Sequence, residues 1–204
     1  MAIKGEKIFI TGGAGFLGKN IIERYHQDNE ITVFSRDEAK HYYIKKKYPK
    51  VNFIIGDIAD KSALVRAGKA HTLGIFAASL KQIEAVNSNF GVAKNTIVDG
   101  AFNSRICAEE NNFKSACFIS TDKSRAATTL YGAMKFVAGE AFIVNASKTT
   151  YNVKLSTAVY GNVTNSTGSI IPLMWDALKH KYPLTLYSGS MTRFIIDIEE
   201  AIDT

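Results

Sequence analysis

Cysteine, proline, histidine and tryptophan are all scarce in this chain of 204 residues, which carries 2, 3, 4 and 1 of them. Cys107 and Cys117 are too few for a disulfide framework, and with so few histidines they fit no zinc-ligand spacing. Buried free thiols and no metal are therefore expected. The shortage of proline leaves room for long helices and strands, with 15 glycines to supply sharp turns. No stretch reaches the ~18 apolar residues of a membrane-spanning helix, so no membrane association is expected. The opening MAIKGEKIFITGG meets its glycines too soon for a secretory leader, and a cytoplasmic location is the expectation.

What is present is ordinary in bulk. Hydrophobic residues make up 46% and charged residues 22%, which excludes disordered, collagen-like and low-complexity classes and is enough for a real core. At ~150 residues per domain the length suits one domain and part of a second. The net charge is +6, yet apart from Lys45, Lys46 and Lys47 the lysines are scattered. Nothing resembles a basic surface interleaved with aromatics, so an anionic small ligand is expected rather than nucleic acid.

The apolar pattern alternates between two periods. Ile8-Phe9-Ile10 is a short strand-like run, and after it Leu17, Ile21, Ile22 and Tyr25 recur at helical spacing. Strands are expected at 31–34, 51–55, about 72–78, 116–119 and 153–157, and helices at 37–48, 89–110 and 130–146. This rhythm predicts an α/β fold, a Rossmann-type doubly wound parallel sheet over residues 1–160. From 161 to 204 the rhythm is lost. Gly161, Gly168, Pro172, Pro183 and Gly189 punctuate short pieces, read as loops of a small substrate region over the strand ends.

Gly12, Gly15 and Gly18 stand immediately after the first strand and open a helix. In that context Gly12 serves a tight turn, Gly15 lets backbone approach a pyrophosphate, and Gly18 permits close helix packing. The diphosphate would lie against the helix N-terminus. Where an NAD site would place an acid after the second strand, this chain has Ser35-Arg36 with Lys40 beyond, which suits the 2′-phosphate of NADP. Asp57-Ile58 follows the third strand, where it can contact the adenine, cap a helix, or both.

Tyr131 and Lys135 are one helical turn apart and share a face. An ammonium near a phenol lowers its pKa, so Tyr131 can act as base toward a sugar or alcohol hydroxyl. Ser120-Thr121-Asp122-Lys123 ends the fifth strand, bringing hydroxyl, carboxyl and amine to the edge where such sheets do chemistry; a solvated turn is the plain alternative for Asp122 and Lys123.

The glycine pattern and the Tyr131/Lys135 pair resemble the extended short-chain dehydrogenase/reductases. The strings SRDE (35–38), GDI (56–58), LKQ (80–82), STDK (120–123), YGAMK (131–135), YGNV (160–163), GSIIP (168–172) and MTRF (191–194) are similar to their polysaccharide-biosynthesis branch of UDP-N-acetylglucosamine 4,6-dehydratases and related nucleotide-sugar epimerases. The resemblance implies bound NADP, met also by Phe16, Leu17, Ala77, Ala78 and Lys81. It further implies a cycle in which Tyr131, helped by Lys135 and Thr121, takes the C4 hydroxyl proton as hydride leaves C4. Lys123 would then remove the C5 proton while a protonated Asp122 helps the C6 hydroxyl leave as water, and hydride returns to C6, with C5 epimerised in the inverting enzymes. Lys81, Asn162, Ser169 and Arg193 would hold the sugar or the UDP diphosphate. A homo-oligomer is expected by analogy.

The chain departs from the branch at Phe76, where a His is usual, at Val159 for an Arg, and near Ala127 for a Pro. Relatives also continue well past the MTRF string, so a fragment or a naturally short form with an incomplete substrate region is expected. Two alternatives to a dehydratase stay open. One is a 4-epimerase or 4-reductase using the same tyrosine, which needs neither Asp122 nor Lys123. The other is a relative that binds NADP without turnover.

Overall fold

The computed structural model describes residues 3–144, 151–185 and 188–204. The chain divides into two compact units, Met1–Val159 and Tyr160–Thr204.

The first unit is built on a six-stranded, all-parallel sheet in the order β3-β2-β1-β4-β5-β6. Its strands are β1 (Lys7–Thr11), β2 (Glu30–Ser35), β3 (Asn52–Ile55), β4 (Leu73–Phe76), β5 (Ser115–Ile119) and β6 (Lys154–Ala158). Helices α1 (Phe16–Tyr25), α2 (Glu38–Lys47), α3 (Lys61–Ala67), α4 (Ile83–Ser88), α5 (Phe90–Lys94), α6 (Gly100–Glu110) and α7 (Leu130–Ile143) connect them. This is the doubly wound Rossmann arrangement. The central strand β1 is buried from its second residue onward and β2 from its second to its fifth, which is why they appear in sequence as nearly continuous apolar runs rather than alternations. The strand order reverses between β1 and β4, and a crevice outside the strand C-termini belongs at such a reversal.

Among the described residues of this unit, three α-helices are started by side-chain caps. Asp37 accepts from the Lys40 N–H (3.0 Å), Asp60 from Ala63 (2.9 Å) and Thr129 from Gly132 (3.1 Å), each meeting a donor that the helix itself leaves unpaired. The helix expected over 89–110 is interrupted. Residues Asn95–Asp99 between α5 and α6 form a π turn, and the Lys94 Nζ lies 2.7 Å from Asp99 Oδ2 across it. A π turn brings residues i and i+5 together, so this ion pair fits the widened turn and would not fit a regular one. The helix expected to reach 146 ends at Ile143; residues 145 and 146 lie outside the described residues.

The core centres on Phe9, whose ring lies 5.9 Å from Phe34, 6.4 Å from Phe76 and 6.5 Å from Phe113. Phe142 of α7 reaches Phe76 of β4 (5.8 Å) and Phe118 of β5 (5.6 Å), so aromatic packing locks α7 onto the strands that carry the site. Arg105 of α6 secures the far end of α7. It pairs with Glu109 (3.0 Å) and donates to the carbonyls of Ala141 (3.3 Å) and Val144 (2.5 Å), and both charged side chains are buried. Arg105→Ala is expected to cost about 3 to 5 kcal/mol, because it strands a buried carboxylate and uncaps a helix. The urea midpoint of the first unit checks this; a loss below about 1 kcal/mol would refute it.

The second unit contains a two-stranded parallel sheet, β7 (Asn162–Val163) with β8 (Ile195–Ile196), and helices α8 (Ile170–His180) and α9 (Ile198–Asp203). The loops expected here are in part helical. Pro172 sits in the first turn of α8, where its missing N–H removes no intrahelical bond, so it does not break the helix as its sequence position suggests. Among the described residues, no helix is long and apolar enough to cross a membrane.

Candidate active site

At the strand reversal, Gly12 lies against the backbone that follows β4. Its φ of +70° is a left-handed conformation, and a Cβ there would lie 2.7 Å from the Ala78 nitrogen and 2.9 Å from the Ala77 carbonyl carbon. Thr11 ties the two sides together: its carbonyl accepts from the Ala77 N–H (3.1 Å) and its Oγ1 from Ala78 (3.3 Å). Gly15 is the N-cap of α1 and supplies no side-chain cap, with Phe16 and Leu17 in the first turn. The helix therefore presents its first N–H groups and positive dipole end to the crevice, which suits a diphosphate. Gly18 packs on Gly13 of the same turn, not on a strand.

At the end of β2, Arg36 lies 3.4 Å from Asp57 and Lys40 lies 2.7 Å from Asp37. All four side chains are well exposed. Such pairs are worth little, so both cations remain available to a phosphate. Asp57 also accepts from the Ala59 N–H (2.9 Å), bracing the turn after β3, while the cap of α3 is Asp60. Ile58 turns its side chain into the core, and its carbonyl accepts from the Asn103 side-chain amide (2.9 Å). Lys81 lies between β4 and α4, and desolvation holds its pKa below the usual lysine value.

Shortly after β5, Thr121 caps a 3-10 turn formed by Asp122–Ser124. Asp122 Oδ1 accepts from Thr121 Oγ1 (3.0 Å) and from Lys123 Nζ (3.2 Å). Burial raises the Asp122 pKa, but the bonds from Lys123 and Thr121 outweigh it and hold the carboxyl below its ordinary value. The resting form is thus an ion pair, not the protonated Asp122 that the resemblance implies. Ser124 fastens the turn by donating to the Thr121 carbonyl (2.6 Å). A Cβ on Gly132 would lie 2.4 Å from the Lys123 carbonyl oxygen, so only glycine lets this turn sit against the start of α7 beside Tyr131. Ser124 and Gly132 were not singled out from the sequence; the spacing within YGAMK holds the glycine, but only the contact gives its reason.

Tyr131 and Lys135 are both buried on α7, and burial acts on them in opposite directions. It pushes the Tyr131 phenol up to about 12, with the Asp122 charge adding to the rise. It lowers Lys135 to about 7. The lowered phenol expected from the lysine is therefore not what this structure has. Lys135 Nζ donates to the Ile119 carbonyl (2.5 Å) and lies 4.4 Å from the Phe118 ring centre, so it is engaged by β5.

Asn162, Ser169 and Arg193 belong to the second unit. Asn162 opens β7, Ser169 precedes α8 with its Oγ buried and without a hydrogen-bond partner among the described residues, and the exposed Arg193 guanidinium donates to the Thr192 carbonyl (2.6 Å).

Comparison with known proteins places these features in context. The family described as polysaccharide biosynthesis protein matches residues 8–204. The inverting UDP-N-acetylglucosamine 4,6-dehydratase of Campylobacter jejuni is 31% identical over 206 residues, covering 97% of this chain and 61% of that protein. A UDP-glucose 4-epimerase of Rickettsia bellii is 32% identical over 208 residues, covering 96% of this chain and 60% of the relative. The crystal structure of Pen from Bacillus thuringiensis superposes with a TM-score of 0.92 at 26% identity, over 98% of this chain and 64% of that one. The chain spans about 60% of the length of these curated relatives.

Proposed function

The chain belongs to the polysaccharide biosynthesis family of extended short-chain dehydrogenase/reductases, and on that premise we propose that it carries the NADP-dependent 4,6-dehydratase site for a UDP-N-acetylhexosamine, UDP-N-acetylglucosamine first. The observation that carries this reading is the Asp122–Lys123 pair, 3.2 Å apart and steadied by Thr121, in the turn packed against the start of α7 beside Tyr131. An epimerase has no need of an acid and a base there.

The Gly12 turn, the uncapped start of α1 and the cations Arg36 and Lys40 fit a dinucleotide with a 2′-phosphate. When bound, oxidised NADP supplies the hydride acceptor and a positive charge that favours the phenolate. The residues do the rest. Tyr131, as the phenolate which that charge favours, would take the proton of the C4 hydroxyl at its oxygen. Lys135, exposed on only 3% of its surface and titrating near 7, is poised to hold or release a proton at neutral pH. Asp122 and Lys123 share one proton, and moving it across the pair converts ammonium and carboxylate into amine and carboxylic acid. That neutral form is the one that acts: the amine removes the C5 proton as the acid protonates the departing C6 oxygen. Asn162, Ser169 and Arg193 are proposed for the sugar and diphosphate.

The test is to incubate the protein with NADP and UDP-N-acetylglucosamine and weigh the sugar product. Loss of one water per sugar is expected. A product of unchanged mass and altered C4 stereochemistry would replace this reading with the 4-epimerase one, which the equally similar Rickettsia bellii relative favours. Bound cofactor with no product over hours would leave a binding protein.

A further inference from the structure

One contact at the end of β2 has no role in the chemistry above. His41, near the start of α2, is buried beside Phe53 (ring centres 4.9 Å apart), with its Nε2 2.6 Å from the Ser35 Oγ. Its other nitrogen, Nδ1, is also buried and has no hydrogen-bond partner among the described residues.

A neutral imidazole carries one N–H, and the two nitrogens compete for it. With the proton on Nδ1, a buried donor would go unpaired, which is rare and costly. With the proton on Nε2, His41 donates to Ser35 and only a lone pair is left unmet. Burial holds the His41 pKa below its ordinary value, against the pull of Asp37 and Glu38, which favours the neutral ring. Ser35 Oγ then accepts from the ring and keeps its own hydrogen to give away.

We propose that His41 is a positioning residue for nucleotide selectivity: by donating from Nε2 it reserves the Ser35 hydroxyl as a donor to a 2′-phosphate, alongside Arg36 and Lys40. The inference rests on the NADP reading and deepens it. A hydroxyl donating to a phosphate makes a charge-assisted bond, whereas a hydroxyl spent on the ring would present the phosphate with a lone pair.

Binding of adenosine 2′,5′-bisphosphate and of 5′-AMP, measured by calorimetry, tests this without any turnover. Wild type is expected to prefer the bisphosphate. His41→Leu is expected to weaken the bisphosphate roughly tenfold and leave AMP within about twofold. His41→Gln, whose amide N–H reaches the same place, retains the preference. Ser35→Ala reproduces the loss, and the double variant with His41→Leu loses no more than Ser35→Ala. If His41→Leu does not fold, the contrast between Ser35→Ala and His41→Gln decides. Equal weakening of both ligands, or an unchanged preference in His41→Leu, overturns the role of His41 alone. A wild type indifferent to the 2′-phosphate overturns the NADP reading, and this inference with it.

Discussion

Exchanging Lys123 for methionine is expected to slow the loss of water from the sugar by about 100- to 10,000-fold, the usual contribution of a positioned acid or base. The first hydride transfer should persist, because Tyr131 and Lys135 are untouched. Single-turnover measurements separate the two: reduced cofactor accumulates by absorbance while the bound sugar loses two hydrogens and no water. Asp122→Asn should slow water loss similarly, with a second signature. The Asp122 charge helps to raise the Tyr131 pKa, so its removal shifts the pH dependence of the first hydride transfer toward lower pH. A Lys123→Met protein that still releases water at a near-native rate would remove Lys123 as the base. If the reaction is instead 4-epimerisation, the same variant keeps its rate within a few-fold, and the dehydratase assignment falls.

Lys135→Met is expected to lose activity and yet gain stability at low pH. The unfolded chain keeps the Lys135 proton up to about 10.5, the ordinary value for a lysine, whereas the folded protein releases it near 7. Below pH 7 both states are charged and the folded state bears the full cost of a buried ammonium. Above pH 7 the unfolded state binds more protons, so raising the pH stabilises the fold through this group, until the unfolded lysine titrates as well. From pH 7 to pH 9 that amounts to roughly 2 to 3 kcal/mol. Methionine fills a similar volume and does not titrate. Its stability advantage over wild type, from urea unfolding at pH 6 and pH 9, should shrink by about that amount as pH rises. A difference that stays flat would show that Lys135 is not held charged against its burial at pH 6.

Much of the first unit was legible from residue order, and for a definite reason. Strands buried on both faces are apolar along nearly their whole length, so Ile8–Ile10 and Ile31–Phe34 announce themselves without reference to the rest of the chain. Where the outcome hung on one turn, residue order misled. The π turn at 95–99 brings together Lys94 and Asp99, five apart, a spacing that a regular helix places on different faces. Pro172 resembles a break and is the third residue of a helix.

The site divides in the same way. Helical spacing alone puts Tyr131 and Lys135 on one face, and the glycines after β1 alone require a turn that admits no side chain at Gly12. The electrostatics came from elsewhere in the fold. Phe118 and Ile119 from β5 surround the lysine, and Asp122 from the next turn bears on the phenol, so burial drives their pKa values apart where local proximity predicts mutual support. Spacing along a helix is set by local covalent geometry, which the residue order contains. The charge a side chain keeps depends on what surrounds it and excludes water, and for these residues the surroundings lie on other strands and turns.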